Sequence, residues 1–152
     1  MTSSTETSAL AAGERAGWAL VFGAWLIAAA GTLGALFFSL VMKLPPCDLC
    51  WYQRIFMFPL TLILPFGMFP FDRGVIRYAS PLAAGGWLIA AFQQALVAGW
   101  IPERIKPCSQ GVPCSETVAT WFGFVTIPLL SLVAFTLIGA LLIAAHLRSS
   151  RP

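Results

Sequence analysis

The sequence predicts an all-α membrane protein, a single bundle of four transmembrane helices, and three observations carry that reading. Of its 152 residues 59% are hydrophobic and only 10% charged, and the mean hydropathy is +0.83, a balance too apolar for an ordinary soluble domain. Four apolar runs long enough to cross a hydrocarbon layer of about 30 Å alternate with short polar stretches. Six Trp, twelve Phe and two Tyr suit interfacial belts, and thirteen Gly suit close helix contacts within a lipid bilayer. The net charge of +3 is small and its basic residues are scattered. Nucleic-acid binding, which needs Lys and Arg clustered on one face, is therefore excluded as a reading.

Residues 1–16 are polar, with Ser, Thr, Glu6, Glu14 and Arg15, and read as a short disordered tail. The first apolar run covers 17–42. Ala28, Ala29 and Ala30 resemble a signal cleavage site, but no positive excess precedes the run and it continues past them, so it reads as an uncleaved first helix. Lys43 and the Pro45–Pro46 pair stop it, because proline lacks a backbone donor and disfavours helix in the residue before it. The same prolines suit a first turn, and a second helix is expected over 47–69, with Pro59 and Pro65 inside it. Phe71 to Tyr78 reads as a polar turn and 79–100 as the third helix. Ile101 to Glu116 carries Pro102, Pro107, Gly111 and Pro113 and is an exposed loop. Ser115 and Glu116 have the character of a helix start, the fourth helix is expected over 118–145, and residues 147–152 form a second tail. The transmembrane domain as a whole spans 17–146, with no repeat and no separate domain.

An even number of spans puts both termini on one side. Arg15, Arg73, Arg77, Arg148 and Arg151 then lie on the terminal side, against Lys43, Arg54, Arg104 and Lys106 opposite. That bias places the termini in the cytoplasm and the loops after the first and third helices outside it. His146 falls at the cytoplasmic end, and Trp51, Tyr52, Trp100 and Trp121 fit an aromatic belt.

All four Cys fall in the two extracytoplasmic loops, as close pairs: Cys47 with Cys50, and Cys108 with Cys114. Disulfides persist in that compartment. Three residues apart, Cys47 and Cys50 share a helix face, and the unpaired amides of a first turn favour a thiolate there. Arg54, one turn beyond Cys50, adds a fixed cation at the membrane edge, suited to stabilising a thiolate or the anion of a reduced electron acceptor, although a snorkelling interfacial Arg has the same place. Two dithiols on one membrane face can pass a disulfide between them by thiolate attack. Zinc held by the four Cys and a pair of purely structural disulfides remain alternative chemistries; an oxidising compartment disfavours the first, and the second leaves Arg54 unexplained.

Three stretches resemble the DsbB thiol:quinone oxidoreductases, in their short-loop BdbC-like branch: Cys47-Asp48-Leu49-Cys50-Trp51-Tyr52-Gln53-Arg54-Ile55, Gly111-Val112-Pro113-Cys114 and Trp121-Phe122-Gly123-Phe124-Val125-Thr126-Ile127-Pro128. The resemblance implies a protein-disulfide:quinone oxidoreductase of the bacterial inner membrane. Its partners would be a thioredoxin-fold, DsbA-like thiol oxidase and the membrane quinone pool, ubiquinone or menaquinone. It implies that the partner reduces Cys108–Cys114, that this pair reduces Cys47–Cys50, that Cys50 attacks the quinone while Cys47 resolves, and that Arg54 holds a quinone oxygen. No metal is implied. The chain departs from the wider family in two places. Only five residues separate Cys108 from Cys114, and Gln93 stands where relatives commonly carry His. Gln93 is a candidate hydrogen-bond donor to a quinone carbonyl, and with Gln94 a candidate for bonding between helices. A vitamin K epoxide reductase-like enzyme is the rival, but its membrane-edge Cys pair belongs to a later helix.

Overall fold

The computed structural model describes residues 3–43, 46–101 and 126–149, and the description below is confined to them. They form α1 (Ser3–Leu40), α2 (Asp48–Phe66), α3 (Gly74–Val97) and α4 (Ile127–Ser149). All four are long and apolar enough to cross a membrane, the stretch of α1 that qualifies being Ala11–Leu40. Each helix packs on two neighbours, α1 on α2 and α4, α3 on α2 and α4, so the four close a ring around one core. Side-chain contacts fix the directions. Gly17 near the start of α1 meets Phe71 beyond the end of α2, while Arg54 early in α2 reaches Ala35 late in α1. Gln53 early in α2 bonds Gln93 late in α3. Phe135 lies against Gly86, and Leu141 against Gly23. Successive helices therefore run antiparallel, and α2 and α4 start from the same end of the bundle.

Several helix boundaries differ from the sequence expectation. The tail over 1–16 is helical from Ser3. Ala9, Ala11, Ala12, Glu14, Arg15 and Ala16 are strong helix formers joined directly to the span, and their propensity outweighs the polar composition that suggested disorder. Helix α1 ends at Leu40, before Lys43, where the amides of Val41 and Met42 both return to the Phe37 carbonyl and Lys43 turns left-handed at φ 52°. Helix α2 stops at Phe66, three residues short of 69, because the Gly67 amide turns back to the Leu64 and Pro65 carbonyls. Helix α3 starts at Gly74 instead of 79: the Asp72 carboxylate accepts from the Gly74 amide at 2.8 Å, which converts the supposed polar turn into a first helical turn. It ends at Val97, and Gly99 at φ +76° supplies the reversal. Helix α4 begins at Ile127, its Leu129 amide donating to Thr126 Oγ1 at 3.4 Å, and runs to Ser149. The expected start at 118 and the Ser115–Glu116 signal lie outside the described residues.

Inside the bundle, the core is Phe135, Ile138 and Leu142 of α4 against Leu60 and Leu64 of α2, Val21, Ala24 and Ala28 of α1, and Ala79, Ala83 and Ala90 of α3. Several polar groups are paired between helices. Pro65 has no N–H to give the Thr61 carbonyl four residues earlier, and the Trp25 indole of α1 donates to that carbonyl at 3.1 Å. The Thr61 hydroxyl bonds the Met57 carbonyl and Thr32 of α1, at 3.1 and 2.8 Å. Trp87 of α3 donates to Thr136 of α4 at 2.9 Å.

Gly86 packs directly against the buried Phe135 ring, leaving no room for a Cβ. The Gly86→Ala variant is expected to lose about 1–3 kcal/mol through overpacking, read as a lower thermal-unfolding midpoint in detergent; an unchanged midpoint would contradict this packing.

Candidate redox site at one end of the bundle

The site is built where α2 begins. Pro46 leads into Cys47, whose backbone is extended at φ −68°, ψ 162°, and which caps the helix that starts at Asp48. Cys47 thus occupies the place usually held by Ser, Thr, Asp or Asn, and its sulfur accepts the Cys50 amide at 3.4 Å. The sequence expected first-turn amides to serve a sulfur of this pair, and the Cys50 amide faces that of the capping Cys47. The two cysteines are unbridged, with their sulfurs 2.7 Å apart and Cys47 Sγ the donor to Cys50 Sγ. A disulfide needs about 2.05 Å, so the pair can close with little backbone movement. The hydrogen bond to Cys50, followed by burial, pushes the Cys47 thiol well above its ordinary range.

Buried residues of α2 recur at 49, 53, 57, 60 and 64, a stripe that is apolar except for Gln53. Gln53 donates through Nε2 to Gln93 Oε1 of α3 at 2.6 Å, and both side chains are buried, Gln93 at 1% exposure. Gln93 Nε2 in turn lies 3.4 Å from each of Cys47 Sγ and Cys50 Sγ. Of the two roles read for Gln93 from sequence, bonding between helices is present, and the same amide also reaches the thiols. Gln94 does not join it: its Oε1 is buried with no partner among the described residues. Gln53 was missed as a site residue. The signal was available, since a Gln in a buried apolar stripe must find a polar partner.

Arg54 points the other way, to α1, where Nη2 donates to the Ala35 carbonyl at 3.0 Å. Ser39 lies one turn beyond Ala35 on that helix, and its Oγ is buried with no partner among the described residues. Trp51, Tyr52 and Ile55 on the outer face of α2 are half exposed, and Trp100 is 84% exposed, as an aromatic belt requires. A small cluster of Leu49 and Leu96, with Cys47, Ile89, Phe92 and Ile101 against it, closes this end of the bundle. Ile101 is the last described residue before 102–125, and Thr126, the first after it, caps α4 at the same end. Cys108, Cys114 and Trp121 lie outside the described residues. The two ends of the segment that carries them are at the dithiol end of the bundle.

The family model described as "Disulfide bond formation protein DsbB" matches residues 14–145. The chain is 46% identical to Disulfide bond formation protein C of Bacillus subtilis over 120 residues, 78% of this chain and 86% of that one. It is 46% identical over 128 residues to Probable disulfide formation protein C 2 of Bacillus cereus, covering 84% and 89% of the two chains. A Probable disulfide formation protein of Metapseudomonas resinovorans is 46% identical over 134 residues, 88% of this chain and 93% of its own. No solved structure gives a significant match.

With its thiol pushed up, Cys47 remains protonated through neutral pH and should alkylate far more slowly than a free cysteine, whose pKa is about 8.5. Site-resolved mass spectrometry of the reduced protein after maleimide pulses at increasing pH tests this; Cys47 labelling at the free-thiol rate near neutrality would contradict the hydrogen-bond arrangement.

Proposed function

The chain belongs to the DsbB family of disulfide bond formation proteins, a multi-pass membrane family, and on that premise we propose that it reoxidises a thioredoxin-fold thiol oxidase and delivers the electrons to membrane quinone. The observation that carries this reading is the meeting, at one end of the bundle, of the Cys47–Cys50 pair with both ends of the segment bearing Cys108 and Cys114. Cys108 is seven residues past Ile101, a tether of at most about 25 Å. A short loop suffices when its root packs beside the pair it must reach.

The exchange balances in three steps. A thiolate of the partner attacks the Cys108–Cys114 disulfide, a mixed disulfide forms as that bond breaks, and the partner's second thiolate displaces it, leaving the partner oxidised and two loop thiols. A loop thiolate attacks the Cys47–Cys50 disulfide in the same way, which restores Cys108–Cys114 and leaves Cys47 and Cys50 reduced. Two electrons and two protons then leave the pair, and its disulfide reforms. When bound, quinone is the acceptor of those two electrons and two protons.

The residues around Arg54 fit a quinone headgroup. Arg54 has five N–H donors, and one of its nitrogens, Nη2, engages the Ala35 carbonyl. Ser39 Oγ, buried and without a partner there, is a further polar atom on the same stretch of α1. In this reading Arg54 and Ser39 hold a headgroup oxygen, Cys50 faces the acceptor and Cys47 closes the disulfide. The dithiol end is extracytoplasmic and both termini lie on the cytoplasmic side of the bacterial inner membrane. Arg15, Arg73, Arg77, Arg148 and Arg151 on the terminal side support that orientation, against Lys43, Arg54, Arg104 and Lys106 on the dithiol side.

Purified protein should reduce a soluble quinone when given a reduced thioredoxin-fold oxidase, and Cys50→Ser should abolish turnover; undiminished turnover in that variant sinks the assignment. Arg54→Ala should raise the quinone KM by about 10- to 100-fold, the loss of one charge-assisted hydrogen bond, while disulfide exchange with the partner persists. Equal loss of both would make Arg54 structural.

A further inference from the structure

We propose that Gln93 is a positioning residue for the Cys47–Cys50 pair, that Gln53 fixes which end of its amide faces the sulfurs, and that together the two amides bias the pair toward its reduced state. This deepens the function proposed above and rests on the pair being redox-active. A primary amide has an acceptor end and a donor end. The Gln93 acceptor end is held by Gln53 Nε2 at 2.6 Å, so the donor end is the one left to turn to the cysteines. It stands 3.4 Å from both sulfurs, with two N–H groups for two acceptors. Gln93 is 1% exposed and Gln53 6%, so neither amide has water as an alternative partner.

Reduced sulfur, as thiol or thiolate, is a better hydrogen-bond acceptor than a disulfide sulfur. Closing the Cys47–Cys50 bond therefore weakens both acceptors facing Gln93, in a buried place where a poorly satisfied donor is costly. The network opposes closure and favours opening, which makes the pair a stronger oxidant of the thiols that supply it. It also assigns the polar atoms of Gln93: the oxygen engages Gln53 and the nitrogen engages the thiols, so a contact from Gln93 to a quinone carbonyl is not needed to explain why the residue is polar. Gln53 acts at one remove, through Gln93.

The test isolates one pair in the full-length chain by Cys108→Ser and Cys114→Ser, in detergent or lipid nanodiscs. The protein is equilibrated with mixtures of reduced and oxidised dithiothreitol. As each Cys47–Cys50 disulfide gains two electrons and two protons, one dithiothreitol loses them and cyclises. Acid quenching and a mass-tagging maleimide then give the reduced fraction. Gln93→Met keeps the volume and removes the donor. It should shift the equilibrium toward the disulfide by about tenfold, which for a two-electron couple is about 30 mV. Gln53→Met should shift it the same way by less, and the double variant no further than Gln93→Met alone, since one effect passes through the other. A Gln93→Met titration identical to the parent overturns the proposal. Should Gln93→Met fail to fold, Gln53→Met decides, and an unshifted curve there overturns it as well. A parent pair that does not titrate reversibly would remove the proposed function itself, and this inference with it.

Discussion

Hydrocarbon offers no hydrogen-bond partner, and this chain places two amides, two thiols and a guanidinium where the bundle alone must supply them. The Gln53–Gln93 bond is the arrangement on which the rest of the site depends. It joins α2 to α3 one turn below the helix start, beneath the Leu49–Leu96 cluster that closes the bundle, and it leaves a single donor group facing two sulfurs. Remove it, and the amide that touches the cysteines has no reason to present its nitrogen. The guanidinium of Arg54 does the corresponding work toward α1. Helix α2 is thus tied to both its neighbours, by a neutral group toward α3 and a charged one toward α1.

Much of this architecture is legible from composition and spacing. Four apolar runs return as four helices, and the disposition of Cys47, Cys50 and Arg54 at one end follows from counting spans. What the sequence obscured is local and has local causes. The polar composition of residues 1–16 hid their helix propensity, and Asp72 read as part of a turn when its carboxylate opens a helix. The site was legible in its cysteines and less so in its amides. Periodicity marks Gln53 and Gln93 as inward-facing, but which two buried amides meet depends on how α2 and α3 are placed, and no spacing within one helix encodes that. Ser39 was invisible for the same reason, because its interest comes from Arg54, of a different helix, bonding the Ala35 carbonyl one turn away.

Cys47 shows how one residue can belong to two levels of the structure. As the cap it helps to satisfy the first turn of α2, so the geometry that starts the helix also sets the distance between the sulfurs. The packing of Ile101 against the same cluster extends the arrangement to the root of the segment that carries the second pair. Its shortness is then a matter of where it is rooted more than of how far it can swing.

The Trp25 indole and the Thr61 carbonyl released by Pro65 have a consequence for how this chain can change. Replacing Trp25 alone leaves that carbonyl without its donor, while replacing Pro65 supplies an N–H that can share the carbonyl, which has two lone pairs, with the indole. The order of exchange therefore matters: once Pro65 has gone, the loss of Trp25 no longer strands the carbonyl. What position 25 can become thus depends on the residue forty positions further along the chain.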